Sequence, residues 1–130
     1  ENWSVLLIED DREDAQQVTW HLQQCGACGD VAHCARLTSA LALLEAQSFD
    51  AVITALDLPD AMGLEALQQL QAAAPEAALI ALSPDADPTL HATLIGLGAQ
   101  DCLVKGAFDR VALRRKLRHA IDQKRHERAF

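Results

Sequence analysis

A chain of 130 residues, half of them hydrophobic, is sized for one domain with its own core; with no Tyr, two Trp and three Phe, that core must come from Leu, Ala, Val and Ile. The net charge of −8 is uneven: residues 1–104 hold 2 basic and 16 acidic residues, residues 105–130 hold 9 basic and 3 acidic. The acidic body argues against nucleic acid as the main partner, and no run approaches the roughly 20 apolar residues of a membrane span.

Strand and helix signals alternate five times. Ser4–Ile8 is a short continuous apolar run, as expected of a strand buried on both faces. Asp11 can cap a helix running to about Cys25, where Gly26 offers a stop. Val31–Ala35 reads as a weaker second strand, and Thr38 as the cap of a helix reaching Gln47. Ala51–Thr54 forms the third strand, and Leu64–Ala73 the third helix, with Leu64, Leu67 and Leu70 spaced by three and Pro75 after it. Ala78–Leu82 is the fourth strand. Asp87 can cap and Pro88 open a helix to about Leu97. Asp101–Val104 is the fifth strand, and Asp109 caps a last helix from Arg110 to about Glu127.

Strands separated by helices imply right-handed crossovers and a parallel sheet. Five units in this length predict an α/β flavodoxin-like (βα)5 fold, a doubly wound five-stranded parallel sheet in strand order 2-1-3-4-5. Residues 1–122 are expected to form the domain and residues 123–130 a helical linker toward an output domain. The chain starts at Glu1 rather than Met and shows no secretory signal, as expected of a cytoplasmic piece of a longer protein.

In this architecture ligands sit at the carboxyl ends of the strands. Those ends carry Glu9-Asp10-Asp11, then Ala55-Leu56-Asp57, then Ser83, then Lys105. Carboxylates suit Mg²⁺, and a lysine with a hydroxyl suits phosphoryl oxygens. Taken singly, each residue has a plain reading as a helix-start acid, a turn serine or a surface lysine. Their joint placement favours a site. No Ser or Cys nucleophile stands at a strand end with a matched His, so an enzyme is not expected. The acids of EDDRED would repel a dinucleotide pyrophosphate.

The segments VLLIEDDREDA, FDAVITALDLPDAMGLEAL, LIALS and GAQDCLVKGAFD resemble the response regulator receiver family of two-component phosphorelay signalling, from about Trp3 to Asp122. The resemblance implies that Glu9 and Asp10 are metal-binding acids, with Asp10 the more direct ligand, and that Ser83 and Lys105 contact phosphate. It places the phosphate-accepting aspartate four residues before Pro59, which is Ala55. Alanine has no oxygen to form an aspartyl-phosphate. The chain therefore reads as a pseudo-receiver acting through protein–protein interaction. If Ala55 is instead an engineered replacement of Asp, the natural protein is a conventional phosphorelay receiver; the sequence does not separate the two.

Glu9, Asp10 and Asp57 are expected to leave a weak or vestigial Mg²⁺ site, with Lys105 free to pair with Glu9 or Asp10. Asp57 could partly replace the missing metal ligand, although a plain loop carboxylate is the simpler reading and phosphorylation there would need a rearranged backbone. Thr54 should point to the other face of the strand. Cys102 occupies the family's aromatic switch position, and Gly106 follows Lys105 where many members have a cis proline. Protein docking or a homodimer through the fourth helix, fifth strand and last helix is implied, the last helix keeping Leu113, Leu117 and Ile121 as its core stripe. Trp20 falls opposite the buried side of the first helix. Cys25, Cys28 and Cys34 with His33 offer a metal or redox pattern. His33 and Cys34, as strand neighbours, point apart, and reduced thiols are expected.

Overall fold

The computed structural model describes residues 2–26 and 28–128. Residue 1 of the expected domain and residues 129 and 130 of the expected linker lie outside the described residues. Five strands, β1 (Trp3–Ile8), β2 (Cys28–Cys34), β3 (Ala51–Ala55), β4 (Ala78–Ser83) and β5 (Asp101–Val104), alternate with five helices. The helices are α1 (Arg12–Gln24), α2 (Leu37–Ala46), α3 (Gly63–Ala73), α4 (Pro88–Gly96) and α5 (Arg110–Arg128). The main sheet is parallel throughout, in the order β2-β1-β3-β4-β5, as expected from the sequence.

Alternation along the central strands builds two cores. Val5, Leu7, Ile53 and Ile80 face α1 and α5, meeting Val18, Leu22, Leu113 and Leu117. Leu6, Ile8, Val52 and Leu79 face α2, α3 and α4, meeting Ala40, Leu67, Leu70 and Leu94. Burying each large aliphatic side chain contributes about 1.5–3 kcal/mol, which explains why the central strands read as unbroken apolar runs.

Caps fix the helix starts. Asp11 accepts from the Asp14 amide at 3.0 Å, Asp87 from Thr89 at 2.9 Å, and Asp109 from Ala112 at 2.8 Å. Thr38 does not cap α2, whose cap residue is Arg36 with no side-chain cap bond. The cap comes from another loop. Asp57–Leu58 and Ala61–Met62 form a short antiparallel ladder, and the turn between them presents Asp60 to the Leu37 and Thr38 amides and the Thr38 hydroxyl, each at 2.9 Å. Those bonds, from the Thr38 and Leu37 amides first, hold the Asp60 carboxyl down at about 2.

β2 starts at Cys28 rather than Val31 and ends at Cys34. Gly29 and Asp30 are poor strand formers and hide its beginning in the sequence. The β1–β2 register shifts between Trp3 and Ser4, so Trp3 pairs with Cys28 and Ser4 with Asp30. At this same end of the sheet, Asp50 accepts from the Ser4 amide at 2.9 Å and lies 3.4 Å from an Arg125 nitrogen. Helix α5 thus continues without a break past Asp122, and Arg125 ties that extension to the base of the sheet.

Candidate functional site

A parallel sheet delivers all its strand ends to one edge, and this edge gathers Glu9, Ala55, Ser83 and Lys105. Glu9 is only 1% exposed, its backbone fixed by its own amide donating to the Cys34 carbonyl at 3.0 Å. His33 Nε2 lies 2.7 Å from the Glu9 carbonyl. A carbonyl only accepts, so Nε2 carries the proton in that contact. Lys105 continues the β4–β5 ladder, its amide donating to Ser83 at 2.9 Å. Gly106 follows at φ +73, a left-handed turn that suits glycine, and no cis peptide bond occurs among the described residues.

Between β1 and β5 in the sheet lie β3 and β4. Lys105 reaches past them, placing Nζ 2.6 Å from Glu9 Oε1 and 3.0 Å from Asp14 Oδ2. The lysine is the one partner of Glu9 Oε1 among the described residues, in an ion pair whose direction falls short of hydrogen-bond geometry. Burial would lower the lysine's proton affinity, but the Glu9 and Asp14 carboxylates outweigh it and raise its pKa above 10.5. The sequence suggested Glu9 or Asp10 as the partner. Asp10 is exposed and faces solvent, and Asp14 takes the contact instead. Asp14 was missed because a first-turn acid reads as an ordinary complement to the helix dipole, and nothing in chain spacing links it to a lysine 91 residues away.

Above this pair opens a cavity of about 550 Å³, lined by Asp10, Asp11, Asp57 and Pro59 together with Glu9, Asp14 and Lys105. Ala55 is not among its walls. The Ala55 methyl is buried in the apolar cluster with Leu58 and Ala66, and Thr54, fully buried beside it, donates its hydroxyl to the Ala55 carbonyl at 3.0 Å.

Ser83 and Lys105 do not share a pocket. The Ser83 hydroxyl donates to the Asp85 carbonyl at 2.6 Å and lines a separate cavity of about 160 Å³ with Asp87, His91 and Cys102. The physical reason is local. A serine before a Pro84 turn finds the carbonyl two residues on within reach. Cys102 is fully buried on the α4 side, and burial, with the Asp101 charge and against that of Lys116, pushes its thiol up to about 11. Lys116 Nζ donates to the Cys102 carbonyl at 2.8 Å.

The donor set does not fit a divalent cation. Magnesium needs several hard oxygens converging in octahedral array. Among the described residues no three His, Cys, Asp or Glu side chains converge in that way. Glu9, the one buried carboxylate of the expected set, already holds the lysine ammonium, while Asp10 and Asp57 are exposed on the cavity rim.

The thiols of Cys25 and Cys28, the C-x-x-C pair of the sequence, are free and lie 3.7 Å apart. Burial, helped by the Cys25 charge and hydrogen bond, pushes the Cys28 thiol up to about 12. His33 and Cys34 do not join them. Trp20 is 55% exposed, as its position on α1 implied, and meets His21 edge-on, which in turn meets Phe108.

Comparison with known proteins bears on the fold and the family. A search of the curated proteins found no match. Among solved structures the chain is similar to the receiver domain of the sensor histidine kinase PA1611 from Pseudomonas aeruginosa PAO1, solved with magnesium coordinated in its active site cleft (25% identity, 94% of this chain and 99% of that one, TM-score 0.79). It is also similar to the signal receiver domain of an HD domain-containing protein from Pseudomonas fluorescens Pf-5 (25% identity, 97% and 99%, TM-score 0.80). A response regulator receiver domain from Clostridium thermocellum shares the fold (23% identity, 95% and 97%, TM-score 0.80). The family model for the response regulator receiver domain matches residues 5–118, and with the five-stranded parallel sheet and its strand-end acids and lysine, this places the chain in the response regulator receiver family.

Proposed function

We propose that this receiver domain is a signalling module that is not phosphorylated at the family's usual site and works by protein interaction. The observation that carries the reading is Ala55. It takes the acceptor's place at the end of β3, its methyl is 1% exposed in an apolar cluster, and it offers no oxygen to a phosphoryl donor. Two further features support it. Lys105, the residue that would meet a phosphoryl group, is engaged by Glu9 and Asp14. The Ser83 hydroxyl is turned onto Asp85, and Cys102 in place of a ring leaves no aromatic to rotate.

Among the described residues no three His, Cys, Asp or Glu side chains converge as a donor set for magnesium such as the Pseudomonas aeruginosa relative holds, so weak cation binding at most is proposed, through the rim carboxylates Asp10 and Asp57. Partners are a protein or a linked output domain, with residues 1–122 as the receiver and the helix beyond as the connection. No helix among the described residues is long and apolar enough to cross a membrane. The test is the intact mass of the protein after incubation with acetyl phosphate and Mg²⁺. No added phosphoryl group is expected, and stoichiometric gain of one overturns the reading.

A further inference from the structure

One strongly charged region has no part in the strand-end site: the face of α5 beside the end of α1. Residues 110–118 carry Arg110, Arg114, Arg115, Lys116 and Arg118 with no acid among them. Lys116 is committed to β5, through the Cys102 carbonyl and Asp101. The four arginines instead line a cavity of about 420 Å³, completed by Gln24 from α1 and by Val111, which is 61% exposed. The buried Cys25 forms part of its wall. The case rests on Arg110, Arg114 and Arg115, which make no ion pair with any described residue.

Folding does not explain this placement. Like charges one helical turn apart repel by a few tenths of a kcal/mol per pair. Cations in the first turns also oppose the positive end of the helix dipole, and α5 has no acid within its first turn, the Asp109 cap being the one carboxylate at that end. The buried stripe of Leu113, Leu117 and Ile121 would anchor α5 without any arginine. A bound anion reverses the sign of both penalties.

The chemistry selects the anion. Guanidinium groups fork onto pairs of phosphate oxygens. Arg110 and Arg114 stand one turn apart, about 6 Å along the axis, a separation that lets two side chains grip neighbouring phosphoryl groups of one ligand. Gln24 and Val111 add a neutral hydrogen-bonding group and an apolar contact. The volume falls in the range of small-ligand clefts, roughly 300–1,000 Å³. A long polyanion would meet the net −8 of the whole chain, whereas a small one feels chiefly the charges within a screening length of about 8 Å.

We propose that the α1–α5 cleft binds a small oligophosphate anion, of the class of nucleoside di- and triphosphates, through Arg110, Arg114 and Arg115. The site is separate from the strand-end cavity, and neither reading depends on the other. The test is calorimetric titration of the chain with inorganic tripolyphosphate and, separately, with ATP, at about 0.15 M salt and without divalent cations. Saturable one-to-one binding is expected, weakened about tenfold or more in Arg110→Gln/Arg114→Gln and unchanged in Arg36→Gln, an exposed arginine on another element. Arg115→Gln gives an independent weakening should the double variant melt differently from the parent. ATP binding more tightly than tripolyphosphate assigns the cleft to a nucleotide, and equal affinities assign it to the phosphate chain alone. No saturable binding of either at millimolar concentration, or equal binding by the parent and the arginine variants, overturns the proposal.

Discussion

The strand-end edge of the sheet has two sides that keep order by different means. After β1 and β5, three charged groups remain and pair: Glu9 and Asp14 share the Lys105 ammonium at 2.6 and 3.0 Å. After β3 and β4, the polar groups have turned inward: Ala55 offers a methyl, Thr54 bonds the Ala55 carbonyl, and Ser83 bonds Asp85. The first side depends on a long-range ion pair and the second on contacts within one or two residues. A buried carboxylate without a partner is costly, so the charged side is stable only as a unit, while the hydroxyl side has little to lose.

This contrast predicts where substitution hurts most. Lys105→Ala leaves the buried Glu9 carboxylate uncompensated, and a loss of about 3 kcal/mol or more is expected in urea unfolding; a loss under about 0.5 kcal/mol, typical of a surface lysine, would show that the pair is not structural. Ala55→Asp puts a carboxylate into the apolar cluster on the second side. A loss of about 2 kcal/mol is expected with or without Mg²⁺, because the new carboxylate lies outside the walls of the acid-lined cavity and Lys105 still holds Glu9. Ser83→Ala should change stability by about 1 kcal/mol or less, the scale of one local hydrogen bond, and a larger loss would erase the distinction between the sides.

The thiol and pH responses are smaller. With its pKa pushed up by burial and by Cys25, Cys28 should hold far less thiolate at pH 8 than a free cysteine, so mass-resolved alkylation should lag well behind a glutathione standard. The Lys105 pKa is raised above 10.5, so its stabilising contribution is complete below that pH and fades as the pH climbs through the folded-state value. Asp60 runs the other way: depressed to about 2 from 3.8, it stabilises above pH 3.8, and that support is lost as the pH falls toward 2. Unfolding midpoints measured across both ranges check the two signs.

The fold was legible because periodicity, caps and turn residues agree, as with Asp11, Asp87 and Asp109 before their helices. It was less legible where one residue serves another element. Asp60 caps α2 from a different loop, and its sequence neighbourhood suggests only a turn. The same holds at the site. Glu9, Asp10, Asp57 and Lys105 do line one cavity, since strand order brings their loops together. Which acid the lysine chooses depends on burial and side-chain reach, and these favoured Glu9 and Asp14 over Asp10. Ser83 left the group because a nearer carbonyl was available to it. The arginines of α5 were visible as a basic run, but only packing against the end of α1 shows that four of them share one cleft with Gln24.

The central claim is that a tethered lysine has closed the carboxylate cluster that a receiver would otherwise offer to a metal. The most direct test is a Mg²⁺ titration followed by amide chemical shifts of residues 9–14, 57 and 105. The account predicts small, non-saturating shifts through millimolar Mg²⁺, confined to the rim at Asp10 and Asp57. Saturable shifts at submillimolar Mg²⁺ that include Glu9 and Lys105 would contradict it.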